Sequence, residues 1–175
     1  MRNRPGFTLI EIILAMSILA FVGVVFISAL TYTATSWVAA VESVEMAQKA
    51  RLALTRIFVE LQEMRGMDAG HRADNDANTL YFIDMEGQPL LLRQVGDTIF
   101  LDGEALLDGA ATGGEMLSFR RADDSDWDPT NDDLDDLYEI GIRVVLDSQY
   151  LNTQRAFGTV VNPLYTGVAR APRLQ

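Results

Sequence analysis

One long apolar stretch limits what this chain can become. From Phe7 to Leu30 it reads FTLIEIILAMSILAFVGVVFISAL, and Glu11 is the single charged residue in it. A run of that length reaches across a bilayer, since about 20 apolar residues at about 1.5 Å of rise each suffice. A carboxylate in such a segment costs on the order of 2.5–3.5 kcal/mol at the helix centre on insertion scales. Something must compensate Glu11, and its identity bears on what the protein is for.

The flanks narrow the reading. The preceding residues, MRNRPG, are short, basic and end in glycine. A secretory signal places an apolar stretch of roughly 7–15 residues before an A-x-A-like cleavage site. Here the charges and the small residue stand in front of the run, and the run is too long for such a signal. Arg2 and Arg4 hold the N-terminus on the cytoplasmic side and send the rest of the chain outward. By span length alone this is a single-pass N-terminal anchor.

The stretch Gly6-Phe7-Thr8-Leu9-Ile10-Glu11 is more specific. It resembles the processing site of type IV prepilins and of the pseudopilins of type II secretion. The resemblance implies cleavage after Gly6 by a membrane aspartyl protease, the prepilin peptidase, with Phe7 as the new N-terminus, usually methylated in that family. It implies that Glu11 pairs with the N-terminal amine of a neighbouring subunit during assembly. The physics is consistent with this, because a carboxylate in low dielectric gains strongly from a nearby amine and is left unpaired without it. The match covers the leader and the hydrophobic helix, about 30 residues; beyond it the likeness is one of architecture.

Composition excludes several classes. The net charge is −11, which argues against a nucleic-acid-binding body, since that needs a basic face. There are no cysteines, hence neither disulfides nor thiolate chemistry. An outer domain without disulfides must hold together through its core alone.

After Leu30 the pattern stays helical. Trp37, Val41, Val44, Ala47, Leu54, Ile57, Phe58, Leu61 and Met64 recur mostly at spacings of 3, 4 or 7, with Glu42, Glu45, Lys49, Arg56, Glu60 and Glu63 opposite. No proline interrupts Phe7 to Gly66, which predicts one helix of roughly 59 residues, about 88 Å long, stopping at Gly66. Many major pilins carry helix-bending prolines here, and this chain does not. The second half of the stripe is expected to pack on the domain that follows.

The remainder reads as strands: Thr79–Asp84, Leu90–Gln94, Thr98–Leu101, Met116–Arg121, Leu137–Leu146 and Phe157–Val161, divided by turn signals such as Glu86-Gly87-Gln88-Pro89 and Gly96-Asp97. Short turns imply an antiparallel sheet with one buried face. The expected fold is therefore α+β and pilin-like: a leader (1–6), a transmembrane helix (7–30), its amphipathic periplasmic continuation (31–66) and a C-terminal β-rich domain (67–175). The large outer domain resembles the larger minor pilins and the J-type minor pseudopilin.

One constellation could bind a ligand by itself. In DDSDWDPTNDDLDDLYE, Asp124, Asp126, Asp128 and Asp135 fall close to positions 1, 3, 5 and 12 of a calcium loop. Pro129 stands where the sharp-turning glycine belongs, and Asp135 replaces the usual glutamate. A loop of another type, drawing also on Asp123, Asn131, Asp132 and Asp133, is the second possibility, and a solvated acidic loop is the third. The weaker cluster Asp74–Asn78 has the same flavour. His71, the only histidine, has neither a cysteine nor a Gly-x-Ser-x-Gly elbow to work with.

The expectation is thus a minor pilin or pseudopilin, a structural subunit near the tip or initiation complex and not an enzyme, with calcium as the one candidate cofactor. Its partners would be other pilin or pseudopilin subunits, the prepilin peptidase and the inner-membrane assembly platform, with no nucleic acid. It would sit in the inner membrane with its C-terminal domain in the periplasm, then enter a pilus or pseudopilus. The alternative is a membrane-anchored periplasmic binding or sensor protein outside any filament.

Overall fold

The computed structural model of the chain describes residues 8–148 and 153–163. One helix, α1 (Leu9–Gln62), runs for 54 residues, about 81 Å at 1.5 Å per residue. The chain divides into two compact units, Met1–Glu42 and Ser43–Gln175.

In the first unit α1 is apolar on every side. No charge occurs between Glu11 and Glu42, and large side chains from Leu9 to Leu30 stand exposed all around the helix. The hydroxyls in this stretch are turned inward on the helix itself: Ser17 donates to the Ile13 carbonyl and Ser28 to that of Val24, each at 2.9 Å. Such back-bonding satisfies polar groups where no water is at hand.

The second unit holds the outer part of α1 and eight strands. They are β1 (Gly66–Met67), β2 (Thr79–Ile83), β3 (Pro89–Val95), β4 (Thr98–Leu101), β5 (Glu104–Leu107), β6 (Leu117–Arg120), β7 (Glu139–Asp147) and β8 (Gln154–Val161). Every pairing is antiparallel. The six strands read from the sequence are all present, and β4 has the expected limits. Two were missed. Asp102-Gly103 is a tight turn with both residues at positive φ, the signature of a hairpin turn, and it feeds β5. The two-residue β1 is too short to show a pattern.

The strands form two sheets, β1-β2-β3-β4-β5 and β6-β7-β8, where a single sheet was expected. The division follows from the path after β5. Gly109, at positive φ, turns the chain toward β7, and Ala111 donates its N–H to the Val145 carbonyl at 2.7 Å. The chain thereby leaves the first sheet and starts the second alongside β7.

The second half of the helical stripe packs on the domain as expected, and the buried row also takes in residues outside that stripe. Met46, Ala50, Ala53, Leu54, Ile57 and Leu61 are the buried residues of α1. They pack with Leu80, Phe82, Leu92 and Ile99 of the first sheet and Ile140, Ile142 and Val144 of the second. Leu54, Ile57, Leu61 and Met64 of the expected stripe are in this core, and Phe58 packs against it half-buried. Trp37, Val41, Val44 and Ala47 are exposed. Two of the buried residues, Ala50 and Ala53, are small. The helix ends four residues early because Arg65 donates its N–H to the Ile83 carbonyl at 2.8 Å, drawing the chain into β1. Gly66 is a point of close approach, since a Cβ there would lie 3.3 Å from Leu134.

Candidate assembly site

The N-terminal end of α1 is built around Thr8 and Glu11. Glu11 Oε2 accepts hydrogen bonds from the Thr8 N–H and the Thr8 hydroxyl, both at 2.9 Å, while the Glu11 N–H points back to Thr8 Oγ1 at 3.4 Å. This is a capping box: a threonine at the N-cap and a glutamate at the third helical position satisfy each other's orphan donors. The acidic side chain also lies where the positive end of the helix dipole favours it. The pattern Thr-x-x-Glu was legible in TLIE, yet the sequence reading passed over it. Glu11 is exposed and already holds two donors in the isolated chain, so its carboxylate is not left without a partner before assembly. Gly6 and Phe7, the expected processing residues, lie outside the described residues.

Beyond the cap, α1 is long and apolar enough to cross a membrane, and the window that qualifies has nothing buried inside the protein. Contiguous exposed apolar surface on this scale marks contact with lipid or with other chains. Tyr32 and Trp37 are both exposed just past this segment, where amphipathic aromatic rings favour a membrane–water boundary.

The acidic run of the outer domain takes a shape of its own. Trp127 is buried and donates its indole N–H to the Asp133 carbonyl at 2.9 Å. Arg72 Nε donates to the Pro129 carbonyl at 2.7 Å, with the guanidinium 5.9 Å from the Trp127 ring centre. Arg121 pairs with Asp132, whose carboxylate also accepts from the Asp128 N–H. Asp128 in turn accepts from the Asn131 amide at 2.6 Å and the Thr130 N–H at 2.8 Å. Those bonds, the Asn131 one foremost, hold its carboxyl below the ordinary carboxylate value. The Ser125 hydroxyl and N–H do the same for Asp123.

The four expected calcium ligands are not brought together here. Asp124 sits in a turn at positive φ, Asp126 on a short backbone pairing with Arg120, Asp128 in a second turn and Asp135 in a 3-10 turn. Among the described residues there is no group of three or more side chains placed to hold a metal. The Asp74–Asn78 segment is likewise spent on structure: Asn75 Oδ1 accepts from the Tyr81 N–H at 2.6 Å and Asn78 Oδ1 from the Met116 N–H at 3.1 Å.

His71 stacks on Tyr81 at 4.6 Å between ring centres, and its Nδ1 lies 2.7 Å from Asp68 Oδ2. The bond to His71, with the Gly70 N–H behind it, keeps the Asp68 carboxyl below its ordinary value. This cluster ties the connection after β1 to β2.

Residues 1–27 match the family model of the prokaryotic N-terminal methylation motif. No curated protein and no solved structure matches the chain. Together with a long apolar helix whose outer part packs on antiparallel sheets, the match means that this protein carries the prepilin-type N-terminal signature on a pilin-like α+β fold.

Proposed function

We propose that the protein is a minor pilin or pseudopilin, a structural subunit near the tip or initiation complex of a type IV pilus or a type II secretion pseudopilus. The observation that carries the reading is the methylation motif over residues 1–27 at the head of an unbroken apolar helix. The chain is inserted in the inner membrane with its outer domain in the periplasm. Prepilin peptidase cuts between Gly6 and Phe7, and Glu11 then serves docking against neighbouring subunits on the assembly platform. The large two-sheet outer domain favours a minor role of the J type over a bulk repeat. The protein acts by assembling, not by catalysis.

Mass spectrometry of the protein extracted from membranes that contain the peptidase tests this. Phe7 is expected at the mature N-terminus, N-methylated, and Gly6→Leu should leave the leader in place. Intact Met1 or Arg2 at the terminus would favour an anchored periplasmic binding or sensor protein instead.

A further inference from the structure

We infer that the free edge of β8 receives an extended acidic segment of a partner protein, added as a fourth strand to the β6-β7-β8 sheet. Among the described residues β8 has a strand neighbour on one side only. It is eight residues long and carries no proline, with Arg155 as its single charge, so it is only lightly blunted as an exposed edge. Beside that edge runs a groove of about 300 Å³, between Leu54 and Phe58 of α1 and Phe157 and Thr159 of β8, with Arg51 in its wall. A strand laid along β8 at about 4.8 Å would enter this groove, gaining main-chain hydrogen bonds and pockets for alternate side chains.

Charge selects the occupant. Arg155 lies two residues from Phe157 on the same face of β8, and neither the Arg155 nor the Arg51 side chain has a hydrogen bond or ion pair among the described residues. Lys49, Arg56 and Arg121 each have a carboxylate partner; Arg93, Arg120 and Arg143 have none among the described residues, and do not line the groove. In a chain of net charge −11, two unpaired guanidinium groups flanking one apolar groove favour a segment that alternates apolar and acidic residues. The chain's own last residues, 164–175, include Arg170 and Arg173 and no acid, so like charge disfavours them there.

The test uses the full chain in detergent micelles and two labelled heptapeptides, EVTVELD and KVTVKLK, followed by fluorescence anisotropy and hydrogen exchange. The acidic peptide should bind saturably and at least tenfold more tightly than the basic one, with new protection at residues 154–161. Arg51→Glu with Arg155→Glu should reverse the preference; if that variant is poorly folded, Arg51→Gln with Arg155→Gln should abolish it. The inference is overturned by an unchanged preference in either variant, or by protection elsewhere. It is equally overturned if binding appears only after truncation at Pro163, which assigns the edge to the chain's own tail. Self-association through β8 without peptide binding would assign it to a second copy and also end the proposal.

Discussion

The Glu11 carboxylate is clasped by Thr8, which donates both its N–H and its hydroxyl at 2.9 Å. The acid that interrupts the apolar run therefore has two separable roles, one in capping its own helix and one proposed in pairing with a neighbour. Thr8→Ala removes one arm of the cap and keeps the charge, whereas Glu11→Ala removes the charge and both bonds of the cap to it. If pairing is the decisive role, Glu11→Ala should insert into the membrane normally and fail to enter filaments, while Thr8→Ala should incorporate at close to wild-type level. Equal loss in the two variants, scored by immunoblot of sheared filaments, would show that the cap is what assembly needs.

The buried stripe of α1 makes a second prediction. Ile57 is fully buried, whereas Val44 is 57% exposed. Ile57→Ala should lower stability by about 2–5 kcal/mol, the usual cost of a large-to-small change in a packed core. Val44→Ala should stay within about 0.5 kcal/mol, as surface changes do. Denaturant melts of the full chain in detergent give both numbers, and comparable losses would mean that Val44 also lies in the core.

Why the sequence reading left Met46, Ala50 and Ala53 out of the core is a matter of residue size. Trp37, Val41, Val44 and Ala47 follow a helical period as well as Met46, Ala50 and Ala53 do, and hydrophobicity favours the larger set. The core chose the smaller residues because close packing against two sheets needs room. The membrane segment, the strands from Thr79 to Leu101 and the alternation of β7 were readable because each pattern is long or has its own turn signal. The second sheet was not readable, since it depends on Ala110 and Ala111 meeting β7 across more than thirty residues and no local pattern encodes that. The acidic run offered a calcium-loop spacing, a loop of another type and a solvated loop as alternatives, and its actual order was not readable because Arg72 and Trp127, which hold it, are far apart in sequence.

Two glycines on the outer face of the second sheet should respond differently to an added methyl. At Gly141 a Cβ would come 2.4 Å from Ser118 Oγ, a hydroxyl that can rotate away. At Gly158 it would come 3.1 Å from the Ile142 carbonyl oxygen, which is held in the sheet. Gly158→Ala should therefore cost about 1–3 kcal/mol, as overpacking does. Gly141→Ala should cost less, and adding Ser118→Ala should recover the loss. Failure of the second change to rescue Gly141→Ala would locate the strain elsewhere.

The acidic loop gives the last prediction, because its internal bonds and a calcium site demand different geometries. Asp128 has both oxygens engaged by Asn131 and Thr130, and Asp132 is held by Arg121. A calcium ion would have to take Asp128 away from these donors and draw Asp124 and Asp135 from separate turns and Asp126 from its backbone pairing with Arg120. The expected outcome is that calcium raises the melting temperature no more than monovalent salt at matched ionic strength, through screening alone. A rise of several degrees specific to calcium, abolished by Asp126→Ala with Asp128→Ala, would show that the aspartates do converge on the ion. Acid should act through the same bonds. Asp123 and Asp128 are held below the ordinary carboxylate value of 3.8, so their stabilisation is complete above that pH and is lost as the pH falls through their lower folded values. Trp127→Ala should loosen the loop at every pH, at a cost of about 3–5 kcal/mol. Carbon-detected titration of the aspartate carboxyls should therefore show Asp123 and Asp128 protonating below the ordinary carboxylate value in the native protein.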